Sequence, residues 1–133
     1  MSQNGERDSV FPLRTFLDFT IQEVSEGVAV AALDIGDRHL NPNGVIHGGV
    51  IFTLADTAMG KATMSVLREG QICASIELSV RYLRPINKGK LIATASVIKA
   101  GKSVVHLESR VVGGDDEKLI AIVNGSFAVI NST

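Results

Sequence analysis

Apolar and polar positions recur with two different periods along the chain, and these periods separate one helical segment from several strands. Between Gly48 and about Glu69, apolar residues recur at every third or fourth position, as on one side of a helix. Alanine, leucine and methionine, which are frequent in this segment, are good helix formers. Gly70 follows where a helix C-cap is expected. The pattern therefore predicts one long helix.

Alternation with a period of two predicts strands on both sides of this helix. In the strand after the helix, Ile72 and Val80 are assigned to one face, and Ser75 and Arg81 to the opposite, polar face. A short apolar stretch at 11–19 fits either a helical turn or a lead-in strand. The predicted strands are 20–25, 27–33, 72–82, 91–97, 105–111 and 119–130, and the turn formers at 37–44 predict a loop.

The order of the elements, two strands, a helix and four strands, predicts an α+β fold in which helix and sheet bury each other's apolar faces. Because the helix is apolar over more than half of its circumference, we expect a curved antiparallel sheet of about six strands to wrap around it. One helix covers little of such a sheet, which favours self-association through a sheet edge or face. Residues 1–10 are expected to form a flexible tail, and residues 11–133 a single domain.

Composition narrows the functional classes. Hydrophobic residues make up 45% and charged residues 20% of the chain, which excludes disordered and low-complexity proteins. The net charge of −1 offers no broad positive surface for nucleic acid, and no apolar run is long enough for a membrane span. Cys73 is the only cysteine, and the polar N-terminus has no apolar signal segment. We therefore expect a cytoplasmic protein without nucleic-acid or membrane partners.

The segment from Asn41 to Gly60 carries the candidate chemistry. His47, Gly48 and Gly49 open the helix, where the first N–H groups have no partner inside the helix. Glycine allows another molecule to approach this backbone closely, and the helix dipole adds positive potential. Such a site suits a phosphate, a carboxylate or the oxyanion that develops on a carbonyl group.

Asp56 lies on a helix face that is made mostly of small residues. An acid in an otherwise apolar helix is costly unless it is paired, solvated or used. Eight residues place Asp56 about 12 Å along the axis from Gly48, so one carbonyl group cannot reach both on the same helix. If both act on one substrate, the active site must be shared by two subunits. The other residues predicted on this face are Gly49, Phe52, Thr53, Gly60 and Thr63.

The sequence HGGVIFTLAD at 47–56 resembles the hotdog-fold thioesterases, together with the Asn-Pro-Asn-Gly at 41–44 and the Tyr-Leu-Arg-Pro at 82–85. It is most similar to the phenylacetate-pathway (PaaI-like) branch of that superfamily, and the similarity extends from about Phe16 to Ile130. An aspartate at position 56, where the hydroxybenzoyl and menaquinone relatives usually carry glutamate, favours this branch. The resemblance implies a hotdog fold and the hydrolysis of acyl-CoA thioesters.

The resemblance also implies roles for individual residues. Asp56 would be the catalytic carboxylate, which either attacks the thioester carbonyl or activates a water. The Gly48 N–H of the facing subunit would hold the carbonyl oxygen, and Ser75 would orient the attacking water. His47 and Asn41 match positions that shape the site. The residues expected to bind substrate are Gly49, Phe52 in the acyl pocket, and Arg81, Arg84, Gly101, Lys102 and Ser103 around coenzyme A.

Several of these residues also have a purely structural interpretation. Asn41 would stabilise an Asx turn, Ser75 would belong to an ordinary polar strand face, and the basic residues would be solvated charges. His39 and His106 are expected in a loop and on an exposed strand without function, and Cys73 as a packing residue. The histidines show no metal-ligand spacing, so no metal and no cofactor is expected besides the coenzyme A of the substrate.

These features together predict a homo-oligomeric acyl-CoA thioesterase, a homodimer with shared active sites that assembles into a homotetramer. The substrate is expected to carry a small or medium acyl group, with arylacetyl as one candidate. Two alternatives remain open at this point. One is a hotdog dehydratase or hydratase that acts on acyl thioesters, and the other is a non-catalytic acyl-CoA-binding module.

Overall fold

Six antiparallel strands form one curved sheet that wraps around a single long helix, which confirms the predicted α+β fold. The computed structural model describes residues 10–131. The predicted tail at 1–10 lies, apart from Val10, outside the described residues. The helices are α1 (Pro12–Leu17) and α2 (Gly48–Met64), the strands are β1 (Phe19–Ser25), β2 (Val28–Asp34), β3 (Gln71–Tyr82), β4 (Lys90–Ala100), β5 (Val104–Gly113) and β6 (Lys118–Asn131), and a 3-10 helix spans Asp37–His39.

The sheet has the strand order β1-β2-β4-β5-β6-β3, so β1 and β3 are its two edges. Fully buried alanines on the inner faces of β2 and β4 allow α2 to lie close to the sheet. The opposite face of α2 is left out of this core. The α2 residues buried in the core are Val50, Ile51, Leu54, Ala55, Ala58, Met59, Ala62 and Thr63.

Helix α2 ends at Met64, five residues before the predicted end near Glu69. Ser65 caps the helix and contacts the β1–β2 turn, because its hydroxyl donates to the Ala62 carbonyl at 2.7 Å and accepts from the Gly27 N–H at 2.8 Å. Residues 66 and 67 then bond three positions back instead of four, which tightens the chain into a turn. Gly70, predicted as the C-cap, lies instead in the turn before β3, where its φ of +84° requires glycine.

Strand β3 does not keep a single alternation. Its register with β6 shifts between Ser75 and Glu77, which marks a β-bulge. Before the bulge, Ser75 and Cys73 contact α2; after it, Leu78 and Val80 pack against the core. The predicted assignment of this strand's residues to two uniform faces is therefore wrong, because one inserted residue reverses which side chains point inward.

His39 lies in the predicted loop region but is buried, with 2% of its surface exposed, and it has a structural role that the sequence did not predict. Its Nδ1 accepts the Gly36 N–H at 2.9 Å, so the Nε2, 2.7 Å from the Leu17 carbonyl, is assigned as the donor. Its own carbonyl accepts the His47 N–H at 2.8 Å. His39 thus ties the end of α1 to the loop that leads into α2. His106 is exposed, as predicted.

Replacing His39 with alanine is expected to lower the free energy of unfolding by about 2–4 kcal/mol, because two backbone groups lose their partner and a void remains. Urea unfolding followed by circular dichroism measures this change. His106→Ala, the same substitution at an exposed position, is the control and should change the value by less than about 0.5 kcal/mol. Equal effects of the two substitutions would contradict a structural role for the buried imidazole.

Candidate active site

A cavity of about 690 Å³ lies between α2, α1 and the first half of β3. On the α2 side, the cavity is bounded by the helix face that does not pack against the sheet. This face carries Phe52, Asp56 and Gly60. Thr63, predicted on this face, is fully buried and is not part of the cavity. The other lining residues are Phe11, Leu13, Thr53, Thr57, Lys61, Met64, Ile72, Cys73, Ala74, Ser75 and Phe127.

Asp56 and Ser75 meet at the wall of this cavity. The Ser75 hydroxyl donates to Oδ1 of the half-buried Asp56 at 2.7 Å, a short hydrogen bond to a charged acceptor. The bond forms because the β3 bulge places Ser75 on the inner side of the strand. The second carboxylate oxygen, Oδ2, has no hydrogen-bond partner within residues 10–131 and remains available. The structure therefore brings together two of the residues that the sequence singled out.

The start of α2 leaves one backbone N–H available. His47 is the N-cap, and its Nδ1 accepts the Gly49 N–H at 2.8 Å. A Cβ atom on Gly49 would lie 3.0 Å from that imidazole, so glycine permits the cap to form. The Gly48 N–H has no partner among the described residues. Of the two glycine N–H groups, only that of Gly48 is free to bind an oxygen of a ligand.

Tyr82, to which the sequence analysis assigned no role of its own, holds Gly48 in place. Its hydroxyl donates to the Gly48 carbonyl at 2.8 Å, and its ring lies 3.0–3.2 Å from the position of a Cβ on Gly48. Burial raises the pKa of Tyr82 further above neutrality, which is consistent with a protonated hydroxyl as the donor. Because Tyr82 faces α2, its neighbour Arg81 points to the other side of the sheet, where it is exposed. The sequence marked Tyr82 only as the first residue of the Tyr-Leu-Arg-Pro motif, and its hydrogen bond to Gly48, 34 residues away, leaves no local signal.

Gly48 and Asp56 are not brought together within one subunit. Both belong to the unbroken helix α2, eight residues apart, which corresponds to about 12 Å along the axis. A single carbonyl group cannot contact both. This separation, inferred from the sequence, holds in the structure.

Asn41 forms an Asx turn, as its structural interpretation predicted. Its Oδ1 accepts the Asn43 N–H at 2.8 Å and the Val45 N–H at 3.4 Å. The side-chain NH₂ group has no partner in the described part of the chain. Asn41 therefore stabilises its own loop through the oxygen and has only the nitrogen left for a ligand.

The predicted coenzyme A residues lie in two separate regions. The Arg84 N–H bonds to the Ile120 carbonyl at 3.3 Å, near one end of β6. The Ser103 carbonyl accepts the Val129 N–H at 2.9 Å, near the other end of β6. Ser103 belongs to the turn at 101–103, together with Gly101 and the exposed Lys102. Nine residues of β6, about 30 Å, separate the two regions. One subunit does not bring them to the same phosphate group.

Metal binding and membrane insertion are two further possibilities that the described residues bear on. Residues 10–131 contain no group of three or more His, Cys, Asp or Glu side chains placed to hold a metal ion. None of the helices in this range is both long and apolar enough to cross a membrane.

A carboxylate bonded to a hydroxyl in a largely apolar cavity, with a free N–H at a helix start, suits a hydrolase that acts on an activated carbonyl group. Comparison with known proteins identifies the family. The family described as the thioesterase superfamily matches residues 43–120, which include Gly48 and Asp56. An Archaeoglobus fulgidus protein named "Putative esterase" is 35% identical over 128 residues, which cover 95% of this chain and 78% of that protein.

Two more relatives extend the comparison. The 1,4-dihydroxy-2-naphthoyl-CoA hydrolase of Listeria monocytogenes is 29% identical over 117 residues, or 88% of this chain and 94% of that protein. The structure of the Escherichia coli PaaI protein, from the phenylacetic acid degradation operon, is 30% identical with a TM-score of 0.83 and covers 91% of this chain and 86% of that chain. The chain belongs to the thioesterase superfamily and is a thioester hydrolase with a hotdog fold. The predicted resemblance is confirmed.

Proposed function

We propose that this enzyme hydrolyses acyl-CoA thioesters to the free acid and coenzyme A, with Asp56 as the catalytic carboxylate. The observation that carries the proposal is the 2.7 Å hydrogen bond between Ser75 and Asp56 at the wall of an apolar cavity. Ser75 orients the carboxylate, or the water beside it, and Phe52 lines the acyl pocket. The names of the relatives, a 1,4-dihydroxy-2-naphthoyl-CoA hydrolase and an acyl-coenzyme A thioesterase, support an acyl-CoA substrate.

In this mechanism the Gly48 N–H of the facing subunit binds the thioester oxygen and stabilises the oxyanion. In one route, Asp56 removes a proton from water as the water oxygen attacks the carbonyl carbon; the C–S bond then breaks and coenzyme A leaves as a thiolate. In the other route, the carboxylate itself attacks, expels the thiolate and forms an anhydride that water hydrolyses. Heavy oxygen recovered in Asp56 after a single turnover in labelled water would identify the second route. His47 keeps the helix start in shape by its capping hydrogen bond.

A homodimer follows from the separation of Gly48 and Asp56, and the sheet supports it. Strand β3 is a sheet edge of 12 residues, and no described strand pairs with its outer side. Ile72 and Ile76 on this strand are exposed, Ile76 by 53%. A long, apolar and unpaired edge favours pairing with a second copy. We place the active site across this dimer, and two dimers in a homotetramer.

The polar contacts to coenzyme A are assigned to exposed groups of this chain. Arg81, Arg84 and Lys102 supply positive charge for its phosphates, and the backbone at Gly101 and Ser103 supplies further contacts. Because Arg84 and the turn at 101–103 are about 30 Å apart along β6, the two regions act on one coenzyme A only if they come from different subunits. The proposed reaction requires neither a metal nor a further cofactor. A cytoplasmic location is part of the proposal, because the single cysteine, Cys73, cannot form a disulfide within the chain.

Release of thiol from a panel of acyl-CoAs tests this function. Acetyl-, butyryl-, octanoyl-, decanoyl-, palmitoyl- and phenylacetyl-CoA are incubated with the purified protein, and free coenzyme A is measured with a thiol reagent. At least one of them is expected to be hydrolysed at a kcat of about 1 s⁻¹ or more. Binding without thiol release from any of them would contradict the proposal, as would addition of water to an enoyl-CoA without thiol release.

A further inference from the structure

Gly60 occupies an unfavourable position for a glycine. It lies inside α2, one helical turn beyond Asp56, and it lines the cavity. Glycine in a helix interior is destabilising relative to alanine, because its backbone loses more conformational freedom on folding. The fold would therefore be more stable with a side chain at this position, unless something requires its absence.

Within one subunit, neither backbone conformation nor core packing requires glycine at position 60. Its conformation is helical and is not among the positive-φ glycines. A Cβ atom there would lie 3.7 Å from the Phe127 ring, an ordinary contact, and would approach no other heavy atom beyond its own helix and chain neighbours within 4 Å. At Gly48 and Gly125 the corresponding distance is 3.0 Å, so packing does restrict those two positions.

The missing side chain keeps open the part of the cavity beyond Asp56. This part extends along α2 to Met64, and Ile72, Cys73 and the Phe127 ring line it from the sheet. From Asp56 to Met64 the helix advances about 12 Å. An extended chain advances 3.3–3.6 Å for every three bonds, so about ten bonds of an alkyl chain span this distance. Thr57 and Lys61 also line the cavity along this stretch of α2, and the Met64, Ile72, Cys73 and Phe127 side chains supply its apolar surface.

We propose that Gly60 is a specificity-determining residue, whose missing side chain admits apolar acyl groups of about eight to ten carbons into the space between Asp56 and Met64. The proposal rests on the proposed acyl-CoA hydrolysis at Asp56. It assigns the distal half of the acyl chain to the cavity beyond Asp56. A larger side chain at position 60 closes this space and leaves room only for short acyl groups.

The test compares wild type, Gly60→Ala and Gly60→Leu in kcat/KM for acetyl-, butyryl-, octanoyl- and decanoyl-CoA. Wild type is expected to prefer the two longer substrates. Gly60→Leu should retain hydrolysis of butyryl-CoA within about threefold and lose about 10–200-fold for octanoyl- and decanoyl-CoA. Gly60→Ala should show the same trend more weakly while its Tm rises by roughly 2–5 °C. Met64→Ala should shift the preference toward longer chains.

Equal losses for short and long substrates in Gly60→Leu, or no change for either, would overturn the proposal. If Gly60→Leu does not fold, the ratio of decanoyl- to butyryl-CoA hydrolysis in Gly60→Ala decides, and an unchanged ratio overturns it. Calorimetric binding of butyryl- and decanoyl-CoA to the same variants separates this proposal from the proposed function. If Gly60→Leu weakens the binding of decanoyl-CoA but not of butyryl-CoA, the role of Gly60 is supported, whether or not the wild type or the variants hydrolyse these substrates. The absence of hydrolysis would contradict only the proposed function.

Discussion

Asp56→Asn is expected to lower kcat for acyl-CoA hydrolysis by about 10²–10⁴-fold. Asparagine has nearly the same shape as aspartate and can still accept the Ser75 hydroxyl hydrogen bond, which is 2.7 Å long in the structure. The amide can neither take a proton from water nor attack the thioester. Thiol release under saturating substrate measures kcat, and the melting temperature establishes that the variant is folded.

The matched control for this substitution is Asp34→Asn. It makes the same carboxylate-to-amide change at an exposed position, where the Asp34 side chain forms an ion pair with Lys90 at 3.1 Å. Exposed ion pairs contribute little to stability, so this variant should keep the kcat of wild type. A folded Asp56→Asn enzyme that retains more than a third of the wild-type kcat would remove Asp56 from the mechanism.

The second large effect is expected from the N–H of Gly48. Gly48→Pro removes this N–H at the first position of α2, where proline is well tolerated, and should lower kcat by about 10²–10³-fold. Gly48→Ala is the matched control, because it places a Cβ against Tyr82 in the same way but keeps the N–H. If the two variants lose equal activity, the contact with Tyr82 and not the hydrogen-bond donor matters at this position.

Mixing the two inactive variants tests whether the active site is shared. A dimer that joins one Asp56→Asn subunit with one Gly48→Pro subunit contains one site with both wild-type groups and one site with neither. Random exchange of subunits makes about half of the dimers mixed, so about a quarter of the wild-type activity should return. If mass spectrometry shows that subunits have exchanged and no activity returns, Asp56 and the Gly48 N–H do not act together in a site shared by two subunits.

The candidate active-site residues differ in how far the sequence could predict their positions. The His-Gly-Gly start of α2 and the distance from Gly48 to Asp56 follow from helix geometry alone, and both hold in the structure. The hydrogen bond between Ser75 and Asp56 does not follow from alternation, which placed Ser75 on a polar face without any partner. Its formation depends on where β3 bulges against β6, and no local pattern marks that residue.

The contacts of His39 and Ser65 could not be predicted from the sequence for the same reason. Nothing adjacent to His39 in the sequence indicates that it will bond to Leu17 and Gly36, since burial of a loop residue depends on the element that folds over it. Likewise α2 stops at Met64 because Ser65 meets the turn that contains Gly27, a contact across 38 residues. Periodicity continued beyond that point, so the prediction extended the helix too far.

The sequence by itself determined the α+β class, the number and order of the strands along the chain, the start of helix α2 and the family. The class, the strands and the helix start follow from periods of two residues and of three to four residues, which are set by the geometry of single strands and helices. The family follows from the resemblance of the motif at 47–56 to the hotdog-fold thioesterases. Only the tertiary structure decided that Ser75 bonds to Asp56 and that the Tyr82 hydroxyl bonds to the Gly48 carbonyl. It also decided that the Gly49 N–H is capped while the Gly48 N–H has no partner among the described residues, and that Gly60 borders open space. Each of these depends on a bulge, a cap or a void formed where segments pack against one another, and such contacts leave no periodic signal in the chain.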